Sequence, residues 1–140
     1  MKVGIIGGGA VGLLIGCHLS KKHTICIYVR STAQRNKINT KGLFMDGIQY
    51  KKNIQAVLIS ELKQEDVYIV CVKQTHIKEI LVEINDVVFT EPVLFLQNGM
   101  GHLEQVENVR YPVYAGIVEH GVIKKAENGI NHVGKGLIKV

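Results

Sequence analysis

The sequence predicts an α/β domain built on a doubly wound, mostly parallel sheet with helices on both faces. Three observations carry that expectation. Short apolar segments alternate with helical patterns along the whole chain, the arrangement that yields parallel strands with right-handed crossovers. A glycine cluster at residues 7–12 stands where the first strand meets the first helix. The segment 67–72 (VYIVCV) is continuously apolar, as a strand covered on both faces must be.

The elements follow in order. Lys2–Ile6 (KVGII) reads as a strand, and GGGAVG at 7–12 as a tight turn opening a helix that runs to about residue 22. Val11, Leu14 and Ile15 supply its i, i+3, i+4 apolar positions. Thr24–Val29 (TICIYV) is β-branched and aromatic, hence a strand. Ser31 is a plausible N-cap for a polar helix ending near Asn39. Residues 42–60 read as extended, hairpin-like structure around an Asp46-Gly47 turn. A polar connector at 62–66 leads to the strand 67–72. Thr75 is the expected cap of a helix with Ile77, Ile80, Leu81 and Ile84 on one face. Pro92 precedes a buried strand at Val93–Leu96, then a sharp loop (QNGMG, 97–101) and a short helical stretch at 103–106. Val113–Val118 is a sixth strand of this alternating series. Asn128-Gly129 signals a hairpin, and 136–140 (GLIKV) reads as a strand or its approach, with no polar tail after it. The chain therefore reads as one domain over 1–140, cut at or inside an element.

Composition narrows the function classes. The chain has 140 residues, 46% hydrophobic, enough for a real core, and only two prolines, which excludes low-complexity disorder. The formal charge of +5 is moderate and scattered; it suits an anionic ligand. Aromatics make up 6% and are not interleaved with the basic residues, so a nucleic-acid stacking platform is not expected. Cys17, Cys26 and Cys71 are odd in number and widely spaced, the pattern of buried free thiols in a reducing compartment. Residues 3–20 carry no formal charge, but six glycines and His18 interrupt them, so neither a membrane span nor a signal peptide is expected. The expected location is cytoplasmic. The histidines at 76, 102, 120 and 132 lack metal-ligand spacing, and no metal is expected.

The chemistry starts at Gly7-Gly8-Gly9-Ala10-Val11-Gly12, which satisfies G-x-G-x-x-G between a strand and a helix. Gly7 permits the tight turn, Gly9 leaves no side chain between backbone and a pyrophosphate, and Gly12 lets the helix approach the sheet. Free N–H groups at the helix start then face the phosphates. A dinucleotide is the expected ligand. Its type is decided at the end of the second strand, where an NAD site wants a carboxylate for the ribose hydroxyls. Here stand Arg30 and Ser31, and no carboxylate occurs from residue 20 to 42. Arg30 can pair with a 2′-phosphate and stack on adenine, and Ser31 can add a hydroxyl or its N–H. NADP(H) is therefore expected over NAD. Arg35 and Lys37 raise the local positive potential, more as a solvated helix face than as contacts.

Lys73 ends the strand 67–72, and Asn98 follows the strand Val93–Leu96, both at the carboxyl edge where such sheets bind ligands. Each is equally readable as a nicotinamide-side or substrate-side group, or as an ordinary strand-end lysine and an Asn-Gly turn residue. His120 sits where it could approach the nicotinamide end. No catalytic residue is assigned within these 140 residues.

GIIGGGAVG, the strand-end Arg30, CVKQTH (71–76) and FLQNGMG (95–101) together resemble the amino-terminal part of the ketopantoate reductase (2-dehydropantoate 2-reductase) family, over essentially the whole chain. The resemblance implies a Rossmann-like NADP-binding domain and the NADPH-dependent reduction of 2-dehydropantoate to pantoate, a step toward pantothenate and coenzyme A. It implies pyrophosphate contact at Gly7, Gly9 and Gly12, 2′-phosphate contact at Arg30, and Lys73 and Asn98 beside the nicotinamide ribose and substrate. His76 departs from a glutamine common in the family. The family's second, helical domain, with its general-acid lysine and a substrate-holding acidic residue, is not expected within this length. The same resemblance implies a small 2-oxoacid substrate bound with that second domain, negligible turnover by this chain alone, and self-association through apolar surface. Two other readings stay open: a non-catalytic dinucleotide-binding regulatory module, which wants an acid at the end of the second strand, and the cofactor domain of another NADP-dependent 2-oxoacid reductase.

Overall fold

The computed structural model describes residues 1–96, 106 and 108–140. It contains strands β1 (Lys2–Ile6), β2 (Thr24–Val29), β3 (Leu43–Met45), β4 (Ile48–Tyr50), β5 (Ile54–Leu58), β6 (Val67–Val70), β7 (Val93–Leu96), β8 (Val113–Val118), β9 (Gly121–Ala126), β10 (Gly129–Gly134) and β11 (Ile138–Lys139), with helices α1 (Ala10–Leu19), α2 (Thr32–Lys41) and α3 (Ile77–Val87). Seven strands form one sheet in the order β11-β8-β7-β6-β1-β2-β5. All its pairings are parallel except β11 on β8, where Ile138 faces Val118. The alternating strands and helices thus close into the expected mostly parallel, doubly wound sheet.

Side-chain alternation along each central strand divides the core in two. Val3 and Ile5 of β1, and Ile25, Ile27 and Val29 of β2, bury with Leu13, Leu14 and Cys17 of α1 and with Ile38 of α2. Ile6, Cys26, Tyr28, Tyr68, Val70 and Phe95 point the other way and bury with Ile77, Ile80, Leu81 and Ile84 of α3. Helices therefore cover both faces. The Tyr28 hydroxyl crosses the second layer to donate to Glu65 Oε2 at 2.6 Å, which satisfies a buried carboxylate.

A second sheet, β4-β3-β10-β9, lies outside α1. Its first hairpin turns at Asp46 (φ 52°) and Gly47 (φ 80°), the left-handed pair that suits a two-residue turn between twisted strands. The chain then departs from the simple hairpin expected for 42–60. After β4 it turns at 51–53, with Asn53 left-handed (φ 64°), and β5 joins β2 as the parallel edge of the main sheet. β10 pairs parallel with β3 and antiparallel with β9, through a turn at Glu127 and Asn128, one residue earlier than the Asn-Gly signal placed it. Asn128 is buried and ties the two halves of this sheet: Nδ2 donates to Gly42 O at 2.9 Å, and its carbonyl accepts from Phe44 N at 2.8 Å.

Helix boundaries differ at two places. α1 stops at Leu19, short of the expected residue 22, with a turn closing the end. Thr75 does not cap α3; a single 3-10 turn (Gln74–His76) intervenes, His76 takes the N-cap position, and its N–H is held by Lys73 O at 2.8 Å. The loop at 97–101, with Asn98, and the stretch 103–105 lie outside the described residues. Among the described residues no helix is long and apolar enough to cross a membrane.

Candidate functional site

The strand order reverses between β1 and β6: β1 leads on one side to β2 and β5, while β6 leads on the other to β7 and β8. At such a switch point the loops after the two strands diverge and leave a crevice at the carboxyl edge. Here that crevice is a cleft of about 480 Å³. Gly7, Gly8 and Gly9 form its floor after β1, Arg30 and Ser31 its wall after β2, and Lys73 and His76 its opposite rim after β6.

Each glycine of the loop has its own reason. Gly7 has φ +120°, and a Cβ there would lie 2.9 Å from Cys71 O, so both backbone and space demand glycine. A Cβ on Gly12 would stand 2.1 Å from Gly7 O, which shows how closely the first turn of α1 folds onto the loop. Gly9 is different: nothing lies within 4 Å of the position its Cβ would take. The protein has no packing need for glycine there, and the open space faces the cleft. Gly9 is also the N-cap of α1, in extended conformation, and no side chain caps the helix. The N–H groups of this first turn have no intrahelical acceptors, and with the helix dipole they favour an anion. Ala10 and Val11 supply the start of that turn and are half-buried.

Ser31 is extended and caps α2, its Oγ accepting from Gln34 N at 3.2 Å. That fulfils the expected cap. Ser31-x-x-Gln34 has the spacing of a capping box, in which the glutamine returns to the cap residue's own N–H. Instead, the buried Gln34 amide donates to Gly8 O and to Glu127 O, both at 2.8 Å. Gln34 thereby locks the glycine loop to the β9–β10 turn, and a Cβ on Gly8 would collide with it at 2.5 Å. The sequence reading passed over Gln34; its signal was the cap spacing on an otherwise polar helix.

The rim is basic. Arg30, Lys73 and, from β9, Lys124 all line the cleft, while no carboxylate does among the described residues. Lys124 Nζ lies 3.9 Å from Glu127 Oε2 at the edge. Lys124 was not foreseen, because only the folding of the second sheet over α1 brings β9 there. Arg30 is exposed and reaches across the cleft mouth: Nη1 is 3.4 Å from His76 Nδ1 and 3.5 Å from Glu79 Oε2, and Nη2 is 3.5 Å from His76 Nε2. An ion pair this open to water is weakly held. Arg30 is therefore positioned over the cleft yet free to exchange partners.

His120 is not among the residues lining this cleft. Its Nδ1 lies 2.9 Å from His132 Nε2 and accepts the Gly136 N–H at 3.3 Å. His18 meets His132 edge-on, with ring centroids 6.1 Å apart. Among the described residues no group of His, Cys, Asp and Glu is arranged to hold a metal ion. The three thiols are unpaired with one another, and burial pushes each above its ordinary value near 9: Cys17 and Cys71 to about 12, Cys26 to about 11.

The sheet order, the glycine turn and the cleft at the switch point define the Rossmann-like, dinucleotide-binding class of α/β domain. Comparison with known proteins sharpens the class. The family model for ketopantoate reductase PanE/ApbA matches residues 3–140. The 2-dehydropantoate 2-reductase of Bacillus subtilis (strain 168) is 36% identical over 143 residues, covering 99% of this chain and 47% of that protein. The enzyme of the same name from Listeria monocytogenes is 32% identical, covering 99% and 49%. A crystal structure of the B. subtilis panE protein superposes with a TM-score of 0.89 at 34% identity, covering 99% of this chain and 48% of its own. D-mandelate dehydrogenase in complex with NADH and anilino(oxo)acetate shares the fold, with a TM-score of 0.83 at 24% identity. This chain belongs to the ketopantoate reductase family. It spans about half the length of the curated relatives it matches.

Proposed function

We propose that this chain is the NADP(H)-binding part of a 2-dehydropantoate 2-reductase. The observation that carries the reading is the pairing, in one cleft, of the unobstructed Gly9 with Arg30 at the end of β2. The first fits a pyrophosphate, because a Cβ would fill the space that the ligand needs and serves no other purpose. The second fits a 2′-phosphate, because a guanidinium offers a bidentate fork where a carboxylate would repel.

When bound, NADPH supplies the hydride for the C2 ketone of a 2-oxoacid. The chain's own residues hold and orient. Gly7, Gly8 and Gly9, with the first turn of α1 at Ala10, Val11 and Gly12, present backbone N–H groups to the pyrophosphate. Arg30 takes the 2′-phosphate, with Ser31 beside it. Ser31 Oγ accepts from Gln34 N–H, and its hydroxyl hydrogen remains to donate to a phosphate oxygen. Lys73, exposed at the rim, faces the nicotinamide ribose or the substrate carboxylate. Asn98 has the matching role on sequence grounds. The proton donor and the remaining substrate contacts belong, in this proposal, to the part of the family's enzymes beyond the matched half. Tyr114, Ile117, Leu137 and Ile138, exposed on and beside the paired strands β8 and β11, offer apolar surface for self-association.

The test is calorimetric titration of the chain with NADPH and NADH at fixed salt, repeated for Arg30→Ala. NADPH is expected to bind at least tenfold more tightly, about 1.4 kcal/mol, and the variant to lose that preference. Equal or tighter NADH binding by the wild-type chain refutes the assignment of Arg30 and returns the domain to the non-catalytic dinucleotide-binding reading.

A further inference from the structure

Arg30 does not stand alone at the cleft mouth. His76 lies against it, with each ring nitrogen within 3.5 Å of a guanidinium nitrogen, and Glu79 reaches both, 3.5 Å from Arg30 and 3.8 Å from His76 Nδ1. His76 lines the cleft and Glu79 sits one helical turn behind it on α3. Arg30 after β2 and Glu79 on α3 contact the imidazole, and Lys73 in the loop after β6 and Lys124 on β9 are the other charged groups that line the same cleft.

Two protonation states give this cluster two characters. A neutral imidazole accepts from Arg30 through one ring nitrogen, and the Glu79 carboxylate then lies against the guanidinium. Both occupy the donors that a phosphate would use. An imidazolium has no lone pair for Arg30, attracts Glu79 to itself, and adds a second N–H donor and a second positive charge facing the same anion. Imidazole changes charge within the range where proteins work. A 2′-hydroxyl, being uncharged, responds little to either change, so the effect falls on the phosphate.

Building on the assignment of Arg30 above, we propose that His76 and Glu79 set the strength of the preference for a 2′-phosphorylated dinucleotide. His76 is a second phosphate donor when both ring nitrogens carry a proton, and Glu79 is a competing acceptor that holds Arg30 back.

The experiment uses the 140-residue chain and the acid-stable oxidised cofactors NADP+ and NAD+, titrated calorimetrically at pH 6 and pH 8. In the wild type the ratio of the two affinities should favour NADP+ at least threefold more at pH 6 than at pH 8. His76→Gln should keep a preference at pH 8, from Arg30, and lose the increase at pH 6. Glu79→Gln should raise the preference at pH 8 by at least twofold. The 2′-phosphate itself loses charge near pH 6, which works against the expected rise and is common to every variant, so the comparison with His76→Gln isolates the imidazole. Thermal unfolding of each variant checks that it is folded, and the Glu79→Gln arm stands if His76→Gln is not. An NADP+ preference whose pH profile is unchanged by His76→Gln, or that Glu79→Gln leaves alone at pH 8, overturns this inference and leaves the Arg30 assignment intact. No NADP+ preference at either pH overturns both.

Discussion

Adding one methyl group at Gly9 or at Gly12 should produce opposite effects, and the structure gives the magnitudes. At Gly9 the new Cβ meets no atom within 4 Å, and the backbone is extended (φ −80°, ψ −174°), a conformation that alanine adopts without strain. Glycine is a somewhat better N-cap than alanine, but alanine narrows the unfolded ensemble by about 0.4–1 kcal/mol. These two terms nearly cancel, so Gly9→Ala should leave stability within about 0.5 kcal/mol of wild type. Its methyl group then occupies the approach of the pyrophosphate, and NADPH affinity should fall at least tenfold, about 1.4 kcal/mol. At Gly12 the Cβ lies 2.1 Å from Gly7 O, so backbone must move. Overpacking of this kind costs about 1–3 kcal/mol, which for a chain of this size lowers Tm by roughly 3–10 °C. Thermal unfolding and NADPH titration of the two variants side by side separate the effects. A Gly9→Ala protein that is folded and binds NADPH as tightly as wild type would refute the reading of the loop as a phosphate cradle.

Two further outcomes follow from the same structure. Gln34→Ala strips two part-buried hydrogen bonds from Gly8 O and Glu127 O; at about 0.5–1.5 kcal/mol each the loss is read by denaturant unfolding, and NADPH binding should weaken as the loop loses its tie. Burial raises the thiols of Cys17, Cys26 and Cys71 to about 11–12 from near 9. The unfolded chain then releases those protons first, so stability declines as pH rises from about 8 toward 12, while alkylation of the buried Cys17 and Cys26 at pH 8 stays slow until the chain unfolds.

The centre of the main sheet was legible because β1, β2, β6 and β7 are covered on both faces. Ile25 to Val29, and Tyr68 to Val70, had to be apolar at every position, and such runs are conspicuous beside the polar α2 and the one-sided pattern of α3. The glycine loop was legible because its chemistry is local: Gly7, Gly9 and Gly12 act within six residues. The second sheet was not. β3 pairs with β10 across more than eighty residues, and no pattern within either strand announces the other. The change of sheet at 51–53 was hidden for a related reason. It turns on Asn53 in a left-handed conformation, its side chain donating to Ser20 O at 3.2 Å, in a stretch that reads as a continuous strand. Lys124 shares that origin, since it reaches the cleft only after β9 has folded onto α1, and so does the bond of Gln34 to Glu127 O. Thr75 is a case of local logic overridden: threonine is a good cap in isolation, but the short 3-10 turn after β6 puts His76 at the helix start.

That last displacement bears directly on the site. With the cap at Thr75, α3 would begin one residue earlier and His76 would belong to its first turn. With the 3-10 turn in place, the His76 N–H is fixed to Lys73 O and the imidazole is set against Arg30 over the cleft mouth, one turn from Glu79. Lys73 and His76 are thereby held as one unit of the rim, so a change in the turn moves both. The glycine loop, by contrast, is anchored by Gln34 from the other side of the cleft. In the proposed function, pyrophosphate binding and discrimination at the 2′ position thus rest on different supports. Substitutions at Gln34 should weaken NADPH and NADH alike, whereas substitutions at His76 and Glu79 should change their ratio.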